Sequence, residues 1–389
     1  MEKLIRRPGI VRTLKLAGSR VALICGMNKT LITLVLGSML HAESIPILIG
    51  TGAEGIYRAD LDRETGKLSP VRLVGEEQNA GFLALSSDSK VVVSTAKVEK
   101  LGAVASWRVT KDGVELINRS TYQGGGLCQV SIDATNRMVM GADYGGGKLV
   151  SFPIDESGKL GANASLHQHE VIDPRPSPQN LPRVHATWPG PENKFAYVPD
   201  LGIDRVKIYT MHPAKGTLTP VGAAVSPPGS GPRHMKFSLD GKHAYVLNEL
   251  TLSVTVFKRN SKTGALTEVQ TVSVFEKGSE KDKMSCSEIL VSKDGKFVYT
   301  GNRDLKGPER DSVSALAVQE DGTLKHLQTV SSGVWIVRNI ALSPEGDFIL
   351  ASGQRSNQVT SIKVDPTTGK MTPTGHSTPV PKAMCVVFP

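Results

Sequence analysis

Short apolar stretches followed by one kind of polar turn recur along this chain. The turn approximates Ser-x-Asp/Glu-Gly-Lys, with close copies at 86–90, 238–242, 292–296 and 343–347 and degraded copies at 131–137 and 187–194. Successive copies are separated by 47, 57, 48, 54 and 51 residues, counted at Lys90, Arg137, Lys194, Lys242, Lys296 and Asp347. A repeat of about fifty residues built from strands and turns is typical of a β-propeller.

The best-defined repeat predicts four short strands, the number found in one propeller blade. Residues 233–237 form an apolar inner strand, and further strands follow at 244–248, 253–257 and 265–272. Each run is rich in β-branched or aromatic residues and is bounded by Gly, Asp or Asn, as strands joined by hairpins are.

The two ends of the chain supply the parts of one further blade. The C-terminal stretch 382–389 resembles an inner strand, whereas 46–50, 55–62 and 67–73 have the pattern of the second, third and outer strands. Pairing one C-terminal strand with three N-terminal strands removes the open sheet edges that would invite aggregation. We therefore predict an all-β fold, a seven-bladed β-propeller over residues 43–389 whose last blade is closed in this way.

Residues 1–42 form a basic leader with seven Lys or Arg and one acidic residue. Within it, 27–42 has the order of a signal peptide: a positive start, an apolar run at 30–40 and a small residue, Ala42, before polar ones. The apolar run is too short to span a bilayer. We expect export to the periplasm or the medium, with cleavage after Ala42. An organelle transit peptide and a disordered tail are the alternatives, and without a signal the protein would be cytoplasmic.

Charge and cysteine content exclude several classes of function. Of 46 basic and 37 acidic residues, seven and one lie in the leader, which leaves a net charge of only +3 for the remainder. No basic stripe interleaved with aromatic residues is present, so we expect no nucleic-acid partner. Cys128, Cys286 and Cys385 match no zinc spacing and are interpreted as small buried residues. We expect a monomer without a metal, a cofactor or a membrane span in the mature protein.

Chemistry in a propeller is expected where inner strands begin and second strands end, because hairpin geometry brings both to one end of the central channel. Arg233, Arg338 and His185 lie at strand starts, and Glu249 follows a second strand. Arginine binds carboxylates, phosphates and developing oxyanions, while His and Glu transfer protons near neutral pH. Structural roles are the alternatives: His185 could bond between blades, and Arg233 could pair with Glu249.

Two other features of these segments are interpreted as structural. His234 follows Arg233 on an alternating strand, so its side chain is expected to face away from the pocket. The glycine runs 124–126 and 145–147 precede no helix and are interpreted as tight connections rather than phosphate-binding loops.

Three segments together resemble the seven-bladed propeller lactonases, the group of bacterial 6-phosphogluconolactonase and fungal carboxymuconate lactonising enzyme. They are Gly231–Leu250, which contains Gly-Pro-Arg-His and Asn-Glu-Leu, with 184–206 and 351–356. The resemblance covers about residues 45 to 389 and implies His185, Arg233, Glu249 and Arg338 as catalytic residues. It also implies a pocket lined by Asp200, Asn248, Asn302, Arg303 and Gln354.

The activity implied by this resemblance is hydrolysis of a small anionic or sugar lactone, a carboxylic ester, at the channel mouth. Arginine would stabilise the oxyanion formed by water attack, and no nucleophilic side chain or metal is needed. A non-catalytic propeller that binds a sugar or protein partner is one alternative. A muconate-type cycloisomerase, in which the same arginines bind two carboxylates, is another.

Overall fold

The computed structural model describes residues 44–171 and 180–389, so the predicted leader and its cleavage site lie outside the described residues. The described residues form 28 strands and one short 3-10 helix, Pro213–Lys215. The first fifteen strands are β1 Ser44–Thr51, β2 Gly55–Asp62, β3 Arg72–Glu76, β4 Leu83–Leu85, β5 Val91–Val98, β6 Leu101–Thr110, β7 Gly113–Thr121, β8 Gln129–Ile132, β9 Met138–Asp143, β10 Lys148–Pro153, β11 Ser165–Gln168, β12 Trp188–Pro189, β13 Phe195–Asp200, β14 Arg205–His212 and β15 Thr217–Val225. The remaining strands are β16 Pro232–Phe237, β17 His243–Asn248, β18 Ser253–Arg259, β19 Leu266–Ser273, β20 Met284–Val291, β21 Phe297–Asp304, β22 Ser312–Val318, β23 Leu324–Ser331, β24 Val337–Leu342, β25 Phe348–Gly353, β26 Gln358–Val364, β27 Met371–Pro379 and β28 Ala383–Val387.

These strands form seven antiparallel sheets of four, which confirms the predicted seven-bladed β-propeller. Blade 1 has the order β28-β1-β2-β3, so one C-terminal strand and three N-terminal strands share a sheet. Blades 2 to 7 are β4–β7, β8–β11, β12–β15, β16–β19, β20–β23 and β24–β27. The inner strand β28 contacts both β24 and β4, so blade 1 joins blade 7 to blade 2.

The recurring polar turn has a side-chain framework that explains its sequence. In blade 5, Ser238 Oγ donates to Asp240 Oδ1 at 2.7 Å and accepts from the backbone N–H of His243 at 2.9 Å. Asp240 Oδ1 also accepts from the N–H of Lys242 at 3.0 Å. Gly241 has a φ of 67°, in the left-handed region that glycine adopts at little cost. Ser and Asp are therefore selected because their oxygens close the turn.

The core lies between neighbouring blades, where side chains from both sheets interdigitate. Between blades 5 and 6, for example, Tyr245, Val254, Ile289 and Leu316 are buried in one cluster. Cys286 and Cys385 are buried, as predicted, and Cys128 is half-buried; none of the three forms a disulfide. No helix in the described part of the chain is long and apolar enough to cross a membrane.

Four inner strands carry a β-bulge near their start, and these bulges position the candidate site. The register shifts around Arg233 in β16, between Cys286 and Ile289 in β20, around Arg338 in β24, and opposite Gly50 and Thr51 in β28. A bulge adds one residue to a strand and so breaks the strict alternation of side chains between the two faces.

Candidate active site

Glu249 lies at the centre of the candidate site, directly after β17. Its backbone N–H donates to the carbonyl of Gly231 at 2.8 Å, and its carbonyl accepts from the N–H of Cys286 in blade 6 at 3.0 Å. The carboxylate forms ion pairs with Arg233 Nε at 2.8 Å and with Arg303 Nη2 at 2.9 Å. Burial favours the neutral acid, but Arg303 and Arg233 outweigh it and lower the pKa of Glu249. The carboxylate is therefore ionised at neutral pH.

Arg233 and Arg303 are anchored to the backbone as well as to Glu249. Arg233 is the extra residue of the β16 bulge, is 2% exposed, and donates through Nη1 to the carbonyl of Ser287. Arg303, in β21, donates through Nη2 to the carbonyl of Cys286 at 2.8 Å. Both guanidinium groups are fixed between blades 5 and 6.

Arg338 differs from the other two arginines because none of the described residues accepts a hydrogen bond from it. It is the extra residue of the β24 bulge and is half-buried. Within the described part of the chain it forms no hydrogen bond and no ion pair. Burial and the charge of Arg303 lower its pKa, while Glu249 opposes this effect. Arg338 thus presents unpaired donors beside a carboxylate that two other arginines already share.

His185 completes the cluster from blade 4, just before β12. Its backbone N–H donates to the carbonyl of Pro199 at 3.0 Å, and its imidazole Nε2 lies 3.9 Å from Glu249 Oε2. The rings of Tyr144 and His234 pack edge-on against the imidazole, with centroids 5.2 and 5.3 Å away. Burial and the charge of Arg233 hold the pKa of His185 well below its usual value. The imidazole is therefore neutral at pH 7 and able to accept a proton.

The four residues assigned a catalytic role from the sequence thus lie in one cluster, joined by Arg303. Three of the five residues expected to line the pocket do not reach it. Asp200, Asn248 and Asn302 are fully buried, and each side chain forms at least one hydrogen bond within or between blades. Asp200 lies 2.7 Å from His169 Nδ1, Asn248 donates to Thr255 Oγ1 at 2.8 Å, and Asn302 donates to Ser314 Oγ at 2.9 Å.

Asn248 and Asn302 miss the channel because side chains alternate between the two sides of a strand. Asn248 and Asn302 direct their side chains toward the next strand of their own blade, so the following residues, Glu249 and Arg303, point to the channel. Gln354 is half-buried, with Nε2 4.0 Å from Met384 Sδ.

The prediction that His234 faces away from the site is wrong. The bulge at Arg233 places two consecutive side chains on the channel side, and His234 packs against His185. Its Nδ1 lies 2.9 Å from Glu288 Oε1. Glu288, the bulge residue of β20, also accepts from Asn339 Nδ2 at 2.8 Å. Sequence reasoning places Glu288 at the start of an inner strand but assigns it no role, although a Glu inside an apolar inner strand is a usable signal.

A cavity of about 540 Å³ lies between blades 2 and 3, and none of the four cluster residues is among the described residues that line it. Its wall includes Gly125, Gly126, Cys128, Asp143, Gly145 and Gly146. Cys128 Sγ is 4.0 Å from His185 Nδ1, so the cavity begins beside the imidazole. Both glycine runs connect strands, and a Cβ on Gly146 would lie 2.8 Å from Asp143 Oδ2. Among the described residues no group of His, Cys, Asp and Glu could hold a metal ion.

Comparison with known proteins gives one consistent answer. A family model described as "Lactonase, 7-bladed beta-propeller" matches residues 41–388. The chain is 33% identical over 341 residues to a Bacillus subtilis (strain 168) protein named 6-phosphogluconolactonase, covering 87% of this chain and 95% of that one. The solved Pseudomonas aeruginosa periplasmic gluconolactonase, PpgL, is similar with a TM-score of 0.82 and 26% identity, over 89% of this chain and 99% of that one. A putative 6-phosphogluconolactonase from Bacteroides fragilis NCTC 9343 has a TM-score of 0.80 and 27% identity, over 89% and 98%.

Proposed function

Because this chain belongs to the lactonase family of seven-bladed β-propellers, we propose that it hydrolyses a small sugar lactone at the cluster of His185, Arg233, Glu249 and Arg338. The substrate class is supported by relatives named 6-phosphogluconolactonase and periplasmic gluconolactonase. The lactone ring would occupy the cavity beside His185.

The unpaired guanidinium of Arg338 carries this proposal. Glu249 is already shared by Arg233 and Arg303, so the cluster holds one positive group without a counter-ion in the described chain. A donor held in a partly water-excluded position stabilises a negative oxygen far more than it would in bulk water. Arg338 is therefore assigned to the lactone carbonyl oxygen, which becomes an oxyanion on water attack.

Neutral His185 is assigned as the proton acceptor. Water adds to the carbonyl carbon, its proton passes to the imidazole, and the oxyanion forms against Arg338. The tetrahedral species then collapses, the bond from carbon to the ring oxygen breaks, and the leaving oxygen takes the proton back from the imidazolium. Glu249, with Oε2 3.9 Å from Nε2, stabilises the imidazolium while it exists. The product is an open-chain hydroxy acid whose carboxyl group releases one proton at neutral pH.

The test is acid release in a pH-stat from glucono-δ-lactone and its 6-phosphate, corrected for spontaneous hydrolysis. Wild-type protein is expected to accelerate at least one lactone, and Arg338→Gln to lower kcat/KM by about 100-fold or more, the usual cost of one oxyanion donor. Arg355→Gln is the matched control, because Arg355 is exposed on the same blade and stacks on Trp335. No acceleration of either lactone, or equal rates for wild type and Arg338→Gln, would contradict the proposal.

We further propose that residues 1–42 direct export and are removed from the mature protein. The basic start, the short apolar run and Ala42 support this, as does a relative described as periplasmic. N-terminal sequencing of the protein from the exported fraction is expected to begin at residue 43. An intact leader on the active protein would contradict export.

A further inference from the structure

Besides the group formed by Arg233, Arg303 and Arg338 with Glu249 and His185, here called the arginine cluster, the channel contains a cavity of about 490 Å³. We call it the lower cavity. The inner strands of all seven blades contribute to its wall, mainly through residues later in each strand than those of the site. Lys236 follows Arg233 by three residues on β16, which corresponds to about 10 Å along a strand. The volume falls within the range of roughly 300–1,000 Å³ common for small-molecule pockets.

The wall of this lower cavity is apolar apart from a few groups. Phe82, Leu342 and Phe388 line it and are each half-buried. Among the described lining residues, only Lys236 and Glu288 are of charged types. A concave apolar surface with very few polar groups is the usual form of a site for an amphipathic small molecule.

Lys236 provides a cation to which the described residues offer no hydrogen-bond acceptor. Its Nζ lies 3.5 Å from the centroid of the Trp188 ring. In the described part of the chain it has no hydrogen-bond acceptor and no ion-pair partner. An ammonium group carries three donors, and an aromatic face satisfies none of them as a directed hydrogen bond.

Glu288 is the nearby opposite charge for Lys236, but the two form no ion pair or hydrogen bond, because other groups occupy the oxygens of Glu288. Its Oε1 is bonded by His234 Nδ1 at 2.9 Å and by the N–H of Ile289 at 3.0 Å. Its Oε2 accepts from Asn339 at 2.8 Å. Burial lowers the pKa of Lys236, an effect that Glu288 only partly opposes. The cavity therefore has mainly apolar walls and a cation over an indole ring, and no anionic group of the described residues contacts that cation.

We propose that the lower cavity binds a small monocarboxylic acid with an apolar body, such as a short-chain or aromatic acid. The carboxylate accepts hydrogen bonds from Lys236 Nζ, and the apolar body packs against the side chains of Phe82, Leu342 and Phe388. Trp188 holds the ammonium in place through its ring face. This site is separate from the arginine cluster and does not rest on the proposed lactonase activity.

The test is isothermal titration of the full mature protein with hexanoate, and with hexanamide as the uncharged analogue. Wild type is expected to bind hexanoate and to bind hexanamide at least tenfold more weakly. Lys236→Met keeps the aliphatic stem and is expected to weaken hexanoate binding at least tenfold. Lys258→Met, which removes an exposed lysine on β18, is expected to change nothing.

The Arg338→Gln variant distinguishes binding in this cavity from binding of the carboxylate at the arginine cluster, where Arg338 has hydrogen-bond donors without an acceptor among the described residues. Binding that survives Arg338→Gln and is lost in Lys236→Met supports the proposal. The reverse pattern, or absence of hexanoate binding to wild type, would overturn it. Circular dichroism verifies that Lys236→Met is folded. As a second measurement, the Trp emission change on adding hexanoate is expected in wild type and absent in Trp188→Phe, and an unaltered emission change in Trp188→Phe would also contradict the site.

Discussion

Arg338→Gln is expected to stabilise the fold while it removes activity, which is the opposite of what a structural arginine would do. The side chain gives up no hydrogen bond or ion pair to the described residues when it is replaced. Its positive charge faces the charge of Arg303, and both this repulsion and burial lower the pKa of Arg338. Replacing it with a shorter, neutral amide side chain removes an unfavourable interaction from the folded state.

The expected change in Tm can be worked out for Arg338→Gln and compared with that for Glu249→Gln. Removing one partner of a buried ion pair costs about 3–5 kcal/mol, and Glu249 serves two arginines. A single stabilising substitution, such as one that improves the charge distribution, commonly contributes about 0.5–2 kcal/mol. A propeller of about 350 residues has an unfolding entropy of about 0.7 kcal/mol/K. Arg338→Gln should therefore raise Tm by about 1–3 °C, and Glu249→Gln should lower it by about 4–7 °C.

The assay is differential scanning calorimetry of wild type and the two variants at one scan rate, with lactone hydrolysis measured on the same preparations. Both variants are expected to lose activity, but their Tm values should move in opposite directions. A fall in Tm for Arg338→Gln comparable with that of Glu249→Gln would refute the inference that Arg338 is unpaired. Retained activity in the stabilised variant would refute its role in the reaction.

Three further predictions address the acid limb of activity, the packing of blade 1 and the closure of the ring. Because burial and Arg233 hold the pKa of His185 below the ordinary value of 6.5, kcat/KM should persist below pH 6.5 and fall only when the imidazole is protonated. Because the charge of Arg338 also lowers the pKa of His185, the fall in kcat/KM at acid pH should occur at a higher pH in Arg338→Gln. A pH–rate profile that is not shifted in this variant would contradict an electrostatic interaction between Arg338 and His185. Gly50→Ala should cost about 1–3 kcal/mol in denaturant unfolding because its Cβ would lie 2.5 Å from the carbonyl oxygen of Ala80, whereas Gly222→Ala, with nothing within 4 Å, should be close to neutral. Deleting β28 should leave unpaired sheet edges and give aggregates in size-exclusion chromatography, and a stable monomer would show that the ring does not need this strand.

The fold was predictable because its turns are built by local side chains. Ser238 and Asp240 close a turn through their own oxygens, so the same residue types must recur wherever the turn recurs. The spacing of these turns along the sequence therefore indicates the number of blades. The sequence predicts that polar residues end β17 and β21, but it does not predict which of them points into the channel. Asn248 and Glu249 are neighbours at one strand end, and only one of two neighbours faces the channel.

The site was less predictable because β-bulges break the alternation on which strand reasoning depends. Arg233 and His234 are consecutive, and a regular strand would place them on opposite faces. The extra residue in β16 brings both to the channel, and the equivalent bulge in β20 brings Glu288 to His234. A bulge depends on register with the neighbouring strand, which local sequence does not specify.

In the proposed mechanism Arg338, rather than Arg233, is the group available to a substrate, and the charges of the cluster give the reason. Arg233 and Arg303 are each held by Glu249 and by a backbone carbonyl of blade 6, so engaging a ligand would require breaking an existing buried interaction. Arg338 has no such interaction in the described chain, so an oxyanion meets a donor that is already in place and gives up no protein partner. A second carboxylate beside Arg338 would make the empty protein more stable, but it would compete with the oxyanion for the same donors. If the proposed mechanism holds, the excess positive charge costs stability in the empty protein and increases the advantage of the transition state over the empty site.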